Sequence, residues 1–234
     1  MGMAHEDGRS PGTFDPRGAA STLLAGVIAN GWAIAWVPSG TVAEAIGCLA
    51  EVIGDPVDGR HGRLFEDVVP RSVNEAHPRS LSRIHGLGAL PLHVELSHRA
   101  RPCRYVLLGC VDPGSGGAAT TLLDRCGLDF GGDLTKEMGS APVLVRSGRR
   151  SFYSTLLPRC RSWLRFDRDC IEPVGSRGAA MFGRVSRLID GSRVGVHRWA
   201  AGDVLLIDNW RVLHGREAVA PGDGRRMLRV MIHG

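Results

Sequence analysis

The sequence contains no apolar run of the roughly 18 residues that a membrane-spanning helix requires. Its apolar stretches, such as Tyr105–Leu108 and Val204–Ile207, have the length of single strands. Residues 1–17 combine acidic residues, Gly and Pro, and they lack the apolar segment of a secretory signal. We therefore expect a cytoplasmic protein without a membrane partner.

The sequence also lacks closely spaced cysteine pairs and has almost no lysine. The six cysteines form no CxxC pair and no zinc-finger spacing, so we expect reduced thiols. Of the 29 basic residues, Lys136 is the one lysine. The arginines are dispersed along the chain, so the net charge of +5 is not gathered into the basic patch that nucleic-acid binding requires. We expect no nucleic-acid partner.

The organisation of the chain is that of one domain. With 234 residues, 43% of them hydrophobic, the chain can bury a sizeable core. Residues 1–19 are rich in Gly, Pro and charge, which predicts a flexible tail and leaves residues 20–234 as a single domain. The spacing of apolar residues predicts helices over Ser21–Ala29, Val42–Ile53 and Arg177–Ile189.

The rest of the chain alternates short apolar runs with Gly, Pro and Asp turns. The predicted strands are Trp32–Val37, Leu90–Val94, Tyr105–Cys110, Thr120–Leu123, Pro142–Val145, Trp163–Phe166, Val194–Trp199, Val204–Ile207 and Met227–Ile232. Many short strands with turn signals between them indicate an antiparallel sandwich or barrel. The predicted fold class is therefore mainly β with flanking helices.

One segment with chemical potential is Leu90–Leu96, which reads Leu-Pro-Leu-His-Val-Glu-Leu. On a strand, residues i and i+2 project from the same face, so His93 and Glu95 would lie side by side as two metal ligands. A His-x-Glu pair alone is common by chance. The same alternation places His98 on the opposite face, and we exclude it as a ligand.

A second segment, Ala201–Arg216, runs from a Gly-Asp turn through an apolar strand to His214. A sandwich that brings His214 next to the first segment would place two histidines and one carboxylate on one side of a metal. That is the facial triad of non-haem Fe(II) oxygenases. Asp208 and Asn209 are interpreted as residues that fix the turn before His214 through side-chain to backbone bonds.

Three stretches carry a resemblance to a known family. They are LPLHVELSHRARPCRYVLLGC, GGAATTLLD and AGDVLLIDNWRVLHGREAV followed by GRRMLRVMI, and together they span most of residues 85–234. They resemble the Fe(II)/2-oxoglutarate-dependent dioxygenases of the taurine dioxygenase type, and most of all the clavaminate synthase-like branch, whose carboxylate ligand is Glu. The resemblance implies a double-stranded β-helix (jelly-roll) core, with Fe(II) held by His93, Glu95 and His214. It also implies 2-oxoglutarate and O2 as cosubstrates.

The distal carboxylate of 2-oxoglutarate needs a cation, and the planar fork of Arg suits a carboxylate. On a strand, Arg225, Met227 and Arg229 share one face, whereas Arg226 faces the other way. Aligning this RxxxR pattern with the family makes Arg225 the 2-oxoglutarate anchor and Arg229 a second, substrate-side or supporting cation. A slip of one residue would make Arg226 the anchor instead.

The resemblance implies two further features. A Thr on an earlier strand contacts 2-oxoglutarate, and the matching position is Thr121, with Thr120 as its neighbour. Residues 127–192 would hold the substrate lid, with Gly127–Gly139 as its mobile part. Only 121 residues separate His93 from His214, and such a short insert leaves room for a carrier-tethered substrate or for a second subunit that completes the pocket. The oligomeric state stays open.

The implied activity is that of an oxidoreductase, an Fe(II)/2-oxoglutarate-dependent dioxygenase of secondary metabolism. It would hydroxylate an unactivated C–H bond of an amino acid or amino-acid-derived metabolite, free or carrier-bound, and release succinate and CO2. Glu95 argues against halogenation, because halogenases of this type carry a small residue there to admit chloride. Desaturation and cyclisation stay open. The alternative is a non-catalytic metal- or ligand-binding jelly-roll protein, which would need neither the RxxxR pattern nor the Thr.

Overall fold

The computed structural model describes residues 14–57, 64–78, 80–160 and 162–234. The helices are α1 (Pro16–Asn30), α2 (Val42–Ile53), α3 (Ser82–His85), α4 (Gly131–Ser140) and α5 (Gly175–Asp190). The strands are β1 (Trp32–Trp36), β2 (Glu66–Val68), β3 (Leu90–His93), β4 (Tyr105–Asp112), β5 (Thr120–Asp124), β6 (Val143–Val145), β7 (Phe152–Ser154), β8 (Ile171–Pro173), β9 (Gly195–His197), β10 (Asp203–Asp208), β11 (Val212–Arg216) and β12 (Arg226–Ile232). Within the described ranges, no helix has the length and apolarity needed to cross a membrane.

The first helix begins inside the segment that composition assigns to a flexible tail. The side chain of Asp15 caps α1 by accepting hydrogen bonds from the backbone N–H groups of Arg17 and Gly18, at 3.0 and 3.1 Å. Pro16 follows at the first helical position, where its missing N–H costs nothing. The tail prediction is therefore wrong for residues 16–19, because the Asp-Pro start signal outweighs the local composition. Residues 1–13 of the predicted tail lie outside the described residues.

Two antiparallel sheets face each other and form the sandwich predicted from the short strands. The larger sheet has the order β1-β10-β4-β12-β2, and the smaller has the order β3-β11-β5-β9. Apolar side chains on their facing surfaces share one core, which includes Val106, Leu122, Leu205, Ile207 and Val212. The mainly β fold class is confirmed, and this core is the space into which the functional side chains project.

Helical layers cover the outer faces of both sheets. Helices α1 and α2 pack on the larger sheet through buried residues that include Leu23, Ile46 and Leu49. Helices α4 and α5, with a small sheet of order β7-β6-β8, cover the smaller sheet. The prediction of flanking helices is confirmed, and α2 has the bounds that its apolar spacing predicts.

The region 127–192 is more ordered than its composition suggests. Gly127–Gly139, predicted to be mobile, contains most of α4. Leu134 and Met138 lie four residues apart on one face of this helix and are 2% and 0% exposed, so they anchor the helix to the core. The segment Trp163–Phe166, predicted as a strand, has no strand assignment, although the C=O of Phe166 accepts a hydrogen bond from Val94 at 2.8 Å. The role of the region as a substrate lid stays a prediction.

Candidate metal centre

Strand pairing brings His93 and His214 together. Strand β11 lies between β3 and β5, and its His214 is paired with His93 on one side and with Leu122 on the other. Paired residues of antiparallel strands project to the same face, so both imidazoles point into the core between the sheets. Each histidine is 7% exposed, and the ring centroids are 4.7 Å apart.

A glycine and a backbone carbonyl help to fix these two rings. A Cβ at Gly215 would lie 2.6 Å from the carbonyl oxygen of Leu90, so only glycine lets β11 approach β3 this closely. The Nδ1 of His93 donates a hydrogen bond to the carbonyl oxygen of Pro91 at 2.9 Å. That bond puts the proton on Nδ1 and leaves the Nε2 lone pair for a metal.

Glu95 reaches the histidines from a turn. His93 and Glu95 lie close together as expected, but the reason given for it was wrong. Strand β3 ends at His93, so Glu95 is not on a strand and the alternation of strand residues does not apply to it. The turn instead contains Leu96 with a φ of 58°, which is uncommon for a residue with a side chain. The three side chains each offer a ligand atom, and these atoms all lie within 4.8 Å of one another.

The charges around this cluster favour metal-binding protonation states. Burial alone would raise the pKa of Glu95, but the guanidinium of Arg229, at 2.5 Å, and the two histidines lower that pKa below its usual range. Burial lowers the pKa of His214, although Glu95 acts in the opposite direction. The cluster therefore offers a carboxylate and a neutral imidazole, which are the forms that bind metals.

The donor set fits Fe(II). The Nε2 of His214 faces the Glu95 carboxylate at 4.0 Å, too far for a good hydrogen bond and close enough for both atoms to bind one ion. Two imidazoles and one carboxylate on one side of a metal suit non-haem Fe(II) and leave coordination positions open for other ligands.

The neighbouring arginines 225 and 226 have opposite environments. Arg225 is 6% exposed, and its Nη1 donates to the carbonyl oxygen of Ala118 at 2.7 Å. Burial lowers the pKa of Arg225, and in the described part of the chain it forms no ion pair. Arg226 is exposed and donates to Asp67 at 2.8 Å. The carboxylate of Asp223 only partly offsets this burial, and a buried cation without a direct ion pair suits an anionic ligand, so the geometry favours Arg225 over Arg226 as the anchor.

The strand register favours Thr120 over Thr121 as the cosubstrate contact. Thr120 and Leu122 alternate onto the face that carries His214, whereas Thr121 pairs with Gly215 and lies on the opposite face. Thr120 is 4% exposed, and its Oγ1 accepts a hydrogen bond from the indole N–H of Trp199 at 3.0 Å. The guanidinium of Arg225 lies 5.9 Å from the Trp199 ring centroid, so these three residues lie close together.

The sequence left open whether Arg229 is a substrate-side cation or a supporting one, and the structure favours the supporting role. Its Nη1 donates to Glu95, and its Nη2 donates to Glu66 at 2.6 Å. Glu66 is the residue opposite Arg229 in the pairing of β2 with β12. This arrangement makes Arg229 the cation that balances the Glu95 carboxylate.

Sequence reasoning missed acidic residues beside the cluster. Asp167 is 8% exposed, and burial raises its pKa even though its interaction with His93 acts in the opposite direction. Asp169 accepts from the Nε2 of His85 at 2.7 Å, so His85 is held by this second carboxylate. No periodicity or motif marks this part of the chain, because it is neither helix nor strand.

We expect His93→Ala to weaken Fe(II) binding by more than about 100-fold, because it removes one of the three candidate protein ligands. His98→Ala is the matched control: His98 is exposed in the same turn and should leave the affinity within about twofold. Anaerobic calorimetric titration of the apo-proteins measures both constants. Equal affinities in the two variants would contradict the ligand assignment.

Comparison with known proteins agrees with this geometry. Residues 145–231 match the profile of the taurine catabolism dioxygenase TauD, TfdA family, a span that includes His214, Arg225 and Arg229. Clavaminate synthase 2 of Streptomyces clavuligerus is 25% identical over 202 residues, which are 74% of this chain and 57% of that protein. The chain thus spans little more than half the length of this relative.

Two solved structures share the fold over nearly the whole chain. Asparagine oxygenase (AsnO) has a TM-score of 0.72 and 21% identity, over 93% of this chain and 81% of that one. It has also been solved with Fe(II), 2S,3S-3-hydroxyasparagine and succinate. The non-haem iron oxygenase OrfP, solved with Fe and α-ketoglutaric acid, has a TM-score of 0.70 and 17% identity, over 92% of this chain and 79% of that one. The fold is the double-stranded β-helix, and the C-terminal part of the chain, from residue 145 to residue 231, is similar to the TauD, TfdA family of dioxygenases.

Proposed function

We propose that the protein is an Fe(II)- and 2-oxoglutarate-dependent oxygenase that hydroxylates an unactivated C–H bond of an amino acid or an amino-acid-derived metabolite. The observation that carries this proposal is the cluster of the buried His93 and His214 with the partly buried Glu95, whose ligand atoms lie within 4.8 Å of one another. The hydroxyasparagine and succinate bound to asparagine oxygenase support the class of product. The proposal includes a cytoplasmic location and a substrate that is free or tethered to a carrier.

The chain's own residues hold and orient the reactants. His93 and His214 would bind the iron through ring nitrogens, and Glu95 would bind it through a carboxylate oxygen. Arg229 keeps Glu95 ionised and directed toward the histidines. When bound, Fe(II) with 2-oxoglutarate and O2 supplies the oxidant that converts C–H to C–OH, while 2-oxoglutarate leaves as succinate and CO2.

Arg225 and Thr120 are the residues that we assign to the distal carboxylate of 2-oxoglutarate. The buried guanidinium of Arg225 supplies the positive charge. Because the oxygen of Thr120 already accepts from Trp199, the hydroxyl hydrogen of Thr120 is left to donate to a ligand. The buried carboxylate of Asp167, which interacts electrostatically with His93, is suited to the ammonium group of an amino acid.

An amino-acid panel tests the proposed activity. With Fe(II), 2-oxoglutarate and O2 present, at least one amino acid or amino-acid derivative should raise succinate formation above the basal rate. Its product should gain one oxygen atom by mass spectrometry. Glu95→Ala should form neither succinate nor product above background. Equal succinate formation by the wild-type protein and Glu95→Ala would contradict the proposal.

Arg225→Ala should raise the KM for 2-oxoglutarate by roughly 30-fold or more, because a buried charge pair with the distal carboxylate is lost. Arg226→Ala removes an exposed arginine that bonds to Asp67 and should change this KM by less than about threefold. Steady-state succinate assays at varied 2-oxoglutarate give both values. The reverse order would assign the anchor to Arg226.

Thr120→Val keeps the shape of the side chain and removes its hydroxyl. We expect it to raise the KM for 2-oxoglutarate by roughly 3- to 10-fold, which is the effect of one lost hydrogen bond. Thr121→Val makes the same change on the opposite face of β5 and should leave the KM within about twofold. A larger effect at Thr121 than at Thr120 would restore the assignment that the family pattern implies.

A further inference from the structure

The side chain of Asn209 reaches away from the turn in which it stands. Asn209 follows β10 and is fully buried. Its Oδ1 accepts from the backbone N–H of Glu95 at 2.7 Å, and its Nδ2 donates to the backbone carbonyl oxygens of Glu95 at 3.0 Å and Cys103 at 2.8 Å. Both amide hydrogens and the amide oxygen are therefore engaged far from the turn.

The neighbouring Asp208 has the local role that the sequence suggested for both residues. Its Oδ1 accepts from the backbone N–H of Trp210 at 3.0 Å and so fixes the turn before His214. The side-chain amide of Asn209 does not bond within the turn. It instead links this turn to a segment more than a hundred residues earlier in the chain.

The Glu95 segment needs an external support. Glu95 lies beyond the end of β3, and its backbone N–H and C=O both bond to the Asn209 amide instead of to a neighbouring strand. The next residue, Leu96, has a φ of 58°. A residue with a side chain keeps such a backbone conformation only where its surroundings fix it. Leu96 is buried in the core between the sheets, and the Asn209 amide holds the other side of the turn.

We infer that Asn209 is a positioning residue for the metal ligand Glu95. Its carboxamide sets the position of the Glu95 backbone, so that the carboxylate reaches the two imidazoles across the core. The backbone N–H of Asn209 also donates to the carbonyl oxygen of Arg104 at 2.7 Å, which fixes the start of the turn. One turn thus positions His214 through the strand that follows and Glu95 through a side chain. The inference rests on the proposed function, because the role is defined toward the bound iron.

Fe(II) binding to the apo-protein, measured anaerobically without cosubstrate, tests this role. Asn209→Ala should weaken Fe(II) binding by roughly 10- to 100-fold, the effect typical of losing a residue that orients a ligand. Asp208→Ala is the matched control, since it removes the adjacent turn bond and leaves the Glu95 backbone untouched. Both variants should lower the melting temperature, but Asp208→Ala should keep the Fe(II) affinity within about twofold of the wild type. Should Asn209→Ala fail to fold, Asn209→Ser gives the same comparison with a polar side chain too short to bridge the contacts.

A second measurement separates positioning from general support of the fold. In a Glu95→Ala background, adding Asn209→Ala should change the remaining Fe(II) affinity by less than about twofold, because the carboxylate through which Asn209 acts is absent. An equal loss of affinity with and without Glu95 would overturn the inference. So would an Asn209 variant that binds Fe(II) as tightly as Asp208→Ala. If the wild-type protein bound no Fe(II), both the proposed function and this inference would be overturned. If the wild-type protein bound Fe(II) and Asn209→Ala bound it equally well, this inference alone would be overturned.

Discussion

The antiparallel pairing of β11 with β3 is the constraint on which the rest of the site depends. It places His214 opposite His93, residues that are distant in sequence, and points both imidazoles into the space between the sheets. The close approach requires a glycine at position 215, where a side chain would meet the backbone of β3. Every other functional group is then defined by its relation to this pair. Glu95 comes from the turn that follows β3, Thr120 from the strand on the other side of β11, and the arginines from the opposing sheet.

The two buried or partly buried arginines inside the sandwich differ in how their charges are balanced, and the difference matches the ligands that we propose for the site. Near the histidines, Arg229 lies between the carboxylates of Glu95 and Glu66, so its charge is balanced by the protein. At Arg225 the guanidinium is buried without an ion-pair partner in the described ranges. Burying ions costs free energy that packing alone does not recover, and an unpaired buried charge is the most costly case. The proposed dicarboxylate, with one end at the metal, would supply the negative charge that Arg225 lacks.

The sequence predicts the regular elements well and the contacts between distant segments less well. Helix α2 has the predicted bounds because its apolar residues recur at helical spacing and Gly54 follows its last residue. The three metal-ligand candidates were found from residue types and family pattern, although Glu95 lies in a turn and not on the expected strand. The choice between Thr120 and Thr121 depends on strand register, which no single segment encodes. The role of Asn209 was invisible for the same reason, since its partners are more than a hundred residues away.

We propose that one site binds Fe(II) through three protein ligands and 2-oxoglutarate through the iron and Arg225 together. Anaerobic titration of the apo-protein with Fe(II) and 2-oxoglutarate, followed by visible absorption, tests this binding mode. A keto acid chelated to Fe(II) gives a weak metal-to-ligand charge-transfer band. We expect this band to develop only when both components are present and to saturate at one equivalent of iron per chain. A well-folded protein that gives no band with both components present would contradict it.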